Sequence, residues 1–143
     1  MIRTGTAIIA DYPLTGVGPD MVQRVYSEYR DPNAVQASNP HLHNVPLHIA
    51  AERGVPAALA WIVFIGVLAV ELFRRMRADG DRVPAAAALA AVAAMLAAGL
   101  FEYNFGDSEF LMLFLLLATA PFAAARTNFP DGSRPAAAAP ARR

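Results

Sequence analysis

His41, His43 and His48 fall within one short stretch and are the only histidines of the chain. An imidazole can take up a proton near neutral pH, and it can also ligate a metal through either ring nitrogen. As a metal set, His41 and His43 with His48 as third ligand lack a carboxylate or cysteine at a usual spacing, so no metal is expected. Arg24 and Arg30 could grip phosphate, or serve as ordinary solvated charges. Gly16-Val17-Gly18 could cradle a phosphate; two glycines in a turn bounded by Pro13 and Pro19 serve equally as a plain turn. Tyr26 and Tyr29 could stack on a sugar, or form a packing or interfacial stripe. The chain has no cysteine, which removes thiol nucleophiles, disulfides and Cys-based metal sites. No repeat, nucleotide fingerprint or Ser/His/Asp spacing is present.

Short helices joined by Gly/Pro turns must position these residues. Ile2 to Ala10 forms one helix, ended by Asp11-Tyr12-Pro13, because a residue before proline avoids helical geometry. From Asp20, read as an N-cap, Val22, Val25, Tyr26 and Tyr29 recur on one helical face. Asp31-Pro32-Asn33 breaks that helix, and Asn39-Pro40 opens another turn. Asn44 reads as the N-cap of a further helix with Pro46 in its first turn. That helix stops or kinks at Gly54-Val55-Pro56.

Composition sets the broad class. The chain is 56% hydrophobic and only 17% charged, against about a quarter charged in an average soluble domain. Three segments are almost free of charge: residues 55–73, 84–101 and 108–126. About 20 apolar residues suffice for a helix to cross the hydrocarbon core of a bilayer. The expected fold class is therefore all-α and integral to a membrane, with three transmembrane helices after an extracytoplasmic segment, residues 1–54. The second span is Ala-rich, so its insertion depends on close packing with neighbours. The N-terminus is too polar for a signal peptide. Net charge is zero, which gives no electrostatic case for a nucleic-acid partner.

Orientation follows from the arginines, which are the sole basic side chains besides histidine. Arg74, Arg75, Arg77 and Arg82 lie between spans one and two. Arg126, Arg134, Arg142 and Arg143 follow span three. The intervening loop instead carries Glu102, Asp107 and Glu109. Positive charge marks the cytoplasmic side, so residues 74–83 and the tail 127–143 are assigned to the cytoplasm and 1–54 and 102–109 to the opposite face. The Pro/Ala/Arg-rich tail is expected to be disordered.

The run Pro13-Leu14-Thr15-Gly16-Val17-Gly18-Pro19-Asp20, then Asn39-Pro40-His41-Leu42-His43-Asn44-Val45-Pro46-Leu47 and Ala51-Glu52-Arg53-Gly54, resembles the O-antigen ligase and polymerase superfamily. Members carry a turn like P-x-x-G-x-G-P, an H-N pair (here His43-Asn44), and a glycine (here Gly54) just before a span. Phe101-Glu102-Tyr103-Asn104-Phe105-Gly106-Asp107 resembles the short loop before the family's last span. Family members have many more spans, and an arginine upstream of the Gly-Pro turn where only Arg3 remains. On this resemblance the chain is expected to correspond to the C-terminal portion of such an enzyme, from a truncated or split gene.

The resemblance implies an inner-membrane glycosyltransferase, metal-independent, inverting and without cofactor. Its partners would be a lipid-linked glycan donor (undecaprenyl pyrophosphate), a lipid A-core or glycan acceptor, membrane lipids, and the missing N-terminal spans or a partner membrane protein. His43 becomes the expected base for the acceptor hydroxyl, and Arg24, Arg30 and Arg3 the expected contacts to pyrophosphate. Gly16, Gly18, Asn44 and Gly54 are its structural motif. The alternative is a non-catalytic membrane remnant or a small subunit packing against other helices.

Overall fold

The structure, a computed structural model, describes residues 1–34, 38–78 and 82–127, and all regular elements among them are helical. Helix α1 (Ile2–Asp11) ends where the sequence before Pro13 requires, with the Tyr12 N–H donating to the Ile8 carbonyl. Helix α2 (Val22–Tyr29) turns Val22 and Tyr26 fully inward, and Val25 and Tyr29 pack at the edge of the same cluster with Ile8, Leu42 and Ala51. The tyrosine stripe is therefore packing. The Tyr29 hydroxyl also donates to Asp11 at 2.7 Å, which pushes this phenol up to about 12 and ties the ends of α1 and α2 together.

Asp20 is not the cap of α2. Met21 takes that position, without a side-chain cap bond. Asp20 has a φ of 58°, a left-handed geometry that aspartate tolerates but that differs from the extended backbone of a capping residue. Its N–H is directed instead to the Glu52 carboxylate.

Helix α3 (Val45–Arg77) starts as expected: the Asn44 side chain accepts from the Leu47 N–H at 3.0 Å, and Pro46 stands in the first turn. Such a cap is worth about 1 kcal/mol. Asn44 also donates through Nδ2 to the Leu100 carbonyl at 3.2 Å, joining the start of α3 to the end of α4 (Val83–Gly99).

The helix is broken at Gly54, whose φ of 82° and ψ of 165° leave helical space. A helix break exposes carbonyls on one side and N–H groups on the other. The Gly/Pro turn supplies the partners. Val17 and Gly18 donate to the carbonyls of Ala51 and Glu52, each at 2.9 Å, and Val55 donates to the Pro13 carbonyl at 2.8 Å. Pro56 then occupies the first turn of the second half, where a missing N–H costs little.

Beyond Gly54, α3 packs with α4 and α5 (Ser108–Thr127) around Ile65, Leu72, Ala88, Val92, Met95, Phe114 and Ala118. Outside this seam the apolar side chains face outward: Val63, Val67, Met112 and Leu116 are each more than 60% exposed. Helix α3 is long and apolar enough to cross a membrane, and α4 and α5 are shorter apolar helices. The 17 residues of α4 run about 26 Å at 1.5 Å per residue. It stops two residues before the expected 101, where the Phe101 and Glu102 N–H groups both return to the Ala98 carbonyl.

Arg74, Arg75 and Arg77, assigned from sequence to a loop, form the last turn of α3, where cations favour the helix dipole. Arg75 bonds Glu71 at 2.9 Å and lies over the Phe122 ring at 4.3 Å. Residues 79–81 and the tail from 128 onward lie outside the described residues.

Candidate functional site

The mouth of α3 and the loop after α4 meet at one place. His43 immediately precedes the cap Asn44 and holds a φ of 49°. This left-handed backbone is uncommon for a residue with a side chain. Its Nδ1 lies 2.8 Å from Oε1 of Glu102, across 59 residues of sequence. The Tyr103 N–H donates to the same oxygen at 3.1 Å. Glu102 is held below the usual carboxylate range, first by the Tyr103 N–H and also by the bond from His43. With a proton on Nδ1 directed at the carboxylate, Nε2 of His43 carries the lone pair. A carboxylate thus orients an imidazole for proton acceptance.

His41 stands beside this dyad. Its Nδ1 is 3.8 Å from the same Glu102 oxygen, and its ring meets that of His43 edge-on at 4.5 Å. That Nδ1 is buried and makes no hydrogen bond among the described residues.

His48 does different work. It is buried, and its Nδ1 accepts from the Leu42 N–H at 3.3 Å. Its Nε2 proton therefore points to Glu52 Oε1 at 3.2 Å, a bond between two almost completely buried side chains. Burial, with the charges of His41 and Arg53 adding to it, pushes His48 down to about 4, so the ring is neutral at pH 7. Burial pushes the Glu52 carboxyl up, against the opposing pull of Arg53 and the Asp20 N–H. With both nitrogens engaged, His48 is not free to act as the third metal ligand weighed from the sequence; it fixes the Leu42 backbone and packs against Tyr103, ring centroids 3.8 Å apart.

These elements enclose a cleft of about 670 Å³ whose polar lining includes Asp20, Gln23, Glu102, Tyr103, Asn104 and Asp107. Both amide atoms of Asn104 are buried without a hydrogen-bond partner among the described residues. Carboxylates and an unpaired amide suit hydroxyl groups or cations, and disfavour a phosphate, whose charge three acidic side chains would repel.

Of the residues singled out from sequence, His41 lines the cleft, His43 touches it through the lining residue Glu102, and Gly16, Gly18, Asn44 and Gly54 shape the turn and the helix start. Arg3, Arg24 and Arg30 are not among its lining residues. Arg3 pairs with Asp31 at 2.7 Å, and Arg24 projects from the exposed side of α2. Arg53 is the arginine near the site: its side chain hydrogen-bonds Tyr103 and lies 3.9 Å from Glu52. Its position between Glu52 and Gly54 was visible, but its approach to Tyr103 was not. Glu102 was missed too, although the arginine distribution had already assigned residues 102–109 to the same face as 1–54.

No family model matches the chain, and neither does any characterised protein or solved structure.

Proposed function

We propose that this chain is the C-terminal part of an inner-membrane glycosyltransferase of the O-antigen ligase type, embedded by α4, α5 and the part of α3 beyond Gly54. It would transfer a glycan from undecaprenyl pyrophosphate to a lipid or glycan acceptor on the periplasmic face. The observation that carries this reading is the His43–Glu102 pair, 2.8 Å apart, at the rim of a cleft suited to hydroxyl groups. An acceptor hydroxyl attacking the anomeric carbon must lose a proton, and His43, with Nδ1 bonded to Glu102, would take it on Nε2. Of the four segments that carry the family resemblance, 39–47 and 101–107 supply this pair and 13–20 contributes Asp20 to the cleft. The apolar side chains facing outward from the three-helix seam suit hydrocarbon better than water.

In this scheme Arg53, through its hydrogen bond to the lining residue Tyr103, is a better candidate than Arg3, Arg24 or Arg30 for the pyrophosphate, which would stand outside the acidic cleft; its guanidinium can hold two phosphate oxygens at once. Asp20, Asn104 and Asp107 would bind sugar hydroxyls.

The test grafts residues 13–125 into a full-length ligase and measures glycan transfer in proteoliposomes from a lipid-linked donor. Retained transfer that His43→Ala abolishes is expected. A chimaera that inserts and folds but transfers nothing would overturn the assignment. The 143-residue chain alone is expected to be inactive; transfer by it would refute the fragment reading. The outward apolar faces of α3 and α5 also favour a second reading, a non-catalytic subunit packed against other helices. On that reading the chain would co-purify with a membrane partner and His43 variants would be silent.

A further inference from the structure

His41, His43 and Glu102 present three ligand atoms that all lie within 4.8 Å of one another. We propose that they form a zinc site, with His41 Nδ1, His43 Nδ1 and one Glu102 oxygen as ligands and a fourth position open to solvent. Three protein ligands with an open position is a common zinc arrangement. Two imidazoles with one carboxylate favour zinc over magnesium or calcium, which prefer all-oxygen shells.

The distances to the shared carboxylate oxygen suit a bound ion. Tetrahedral zinc with bonds of 2.0–2.2 Å sets its ligand atoms about 3.4 Å apart. The two nitrogen–oxygen distances straddle that value, at 2.8 Å for His43 and 3.8 Å for His41. A shift of about half an ångström in each, one outward and one inward, would bring both to that value, and the two nitrogens, within 4.8 Å of each other, would have to close to a similar spacing.

Two further observations single out this trio. His41 Nδ1 is buried with no hydrogen-bond partner among the described residues, and a bound ion would give it one. The left-handed backbone of His43 sets its ring against Glu102 and beside His41. Asp20 and Asp107 in the same cleft add negative charge that attracts a cation. His48 is excluded, because its two nitrogens are bound to Leu42 and Glu52.

Zinc here would clamp the segment before α3 to the loop after α4. It would also use the His43 nitrogen that otherwise bonds Glu102, leaving the proton on Nε2. If the transferase reading holds, zinc is then an inhibitor of transfer. Binding itself does not depend on that reading and is measured without it.

The experiment uses the full 143-residue chain in detergent, purified without a histidine tag, and titrated with zinc chloride by equilibrium dialysis and calorimetry. One zinc per chain is expected, together with a raised thermal midpoint. His41→Ala and Glu102→Gln should each weaken binding about 100-fold or more, since even outer-shell changes cost 10–100-fold. His48→Gln should bind zinc as the parent does. Zinc X-ray absorption of the unmodified protein should report two imidazole ligands with oxygen, a readout that survives any folding defect in the variants. Absent binding by the folded chain, equal binding by the His41→Ala and Glu102→Gln variants, or a spectrum without two imidazoles would each overturn the site.

Discussion

Gly16 lies directly against the backbone of Glu52, leaving no space for a Cβ between them. Gly54 stands in the same relation to the Leu14 carbonyl. Both have positive φ, so an added methyl group meets strained backbone as well as overlap. Gly18 differs, since a Cβ there would approach only the movable side chain of Met21. Gly16→Ala and Gly54→Ala are therefore expected to cost about 3 kcal/mol or more, and Gly18→Ala about 1–2 kcal/mol. Thermal unfolding in detergent, followed by circular dichroism, ranks the three. A Gly18 variant as damaged as the other two would mean that strain alone, and not the docking of the turn on the helix break, sets the cost.

The His48–Glu52 pair predicts how stability responds to acid. His48 sits at about 4 in the fold against 6.5 ordinarily. Its contribution is thus complete above pH 6.5 and is lost as pH falls towards 4, because the unfolded chain binds the proton first. Alone this would amount to about 3 kcal/mol at 1.36 kcal/mol per pH unit. Glu52 acts in the opposite sense: its carboxyl is raised by burial, and protonation relieves the cost of burying its charge. Glu52→Gln, which keeps an acceptor for His48 but cannot titrate, should lose more stability than the parent between pH 7 and pH 4.5. His48→Gln should lose less. Melting temperatures of the three proteins at both pH values decide it; identical acid responses would mean the pair is not titrating as described.

Local signals were legible in the sequence. Asn44, Pro46 and Gly54-Val55-Pro56 marked a helix start and a break because caps and breaks depend on a few adjacent residues. The apolar runs marked α4, α5 and the second half of α3 for the same reason. Asp20 misled, since its residue type fits a cap while its backbone after the Gly18-Pro19 turn is left-handed. The extension of α3 through Arg77 was obscured by charge, which favours a helix C-terminus as readily as a loop. At the site, His43 was legible and its partner was not. Glu102 reaches it where the start of α3 meets the end of α4, a meeting that the Asn44–Leu100 bond helps to hold, and such tertiary contacts leave no spacing to read.

On the membrane reading, residues before Gly54 and those after Arg77 lie on opposite faces. The chain has no cysteine, so single cysteines report cleanly. Asn39 is unsuitable as a probe because it is only 3% exposed, whereas Glu28 and Ala78 are both exposed. An impermeant maleimide should label Glu28→Cys in intact spheroplasts and Ala78→Cys only after lysis. The reverse pattern would contradict the arginine-based orientation and remove the periplasmic setting the transferase reading needs.

The sharpest expectation concerns whether His43 and Glu102 act as one unit. In an active chimaera carrying residues 13–125, His43→Ala should lose about 10²-fold or more in rate, the usual scale for a general base. His43→Gln should be nearly as slow, because glutamine can position a hydroxyl but cannot take its proton. Glu102→Gln should also be impaired: the amide can donate to Nδ1 instead of accepting from it, which moves the imidazole proton to Nε2 and blocks the lone pair. His41→Ala, outside the dyad, should lose much less. The deciding measurement is the double variant. Residues that work through one proton transfer are strongly non-additive, so His43→Ala with Glu102→Gln should be no slower than His43→Ala alone. If the two losses multiply instead, Glu102 acts independently of His43, on the loop or on the sugar. The 2.8 Å contact would then be structural and not catalytic.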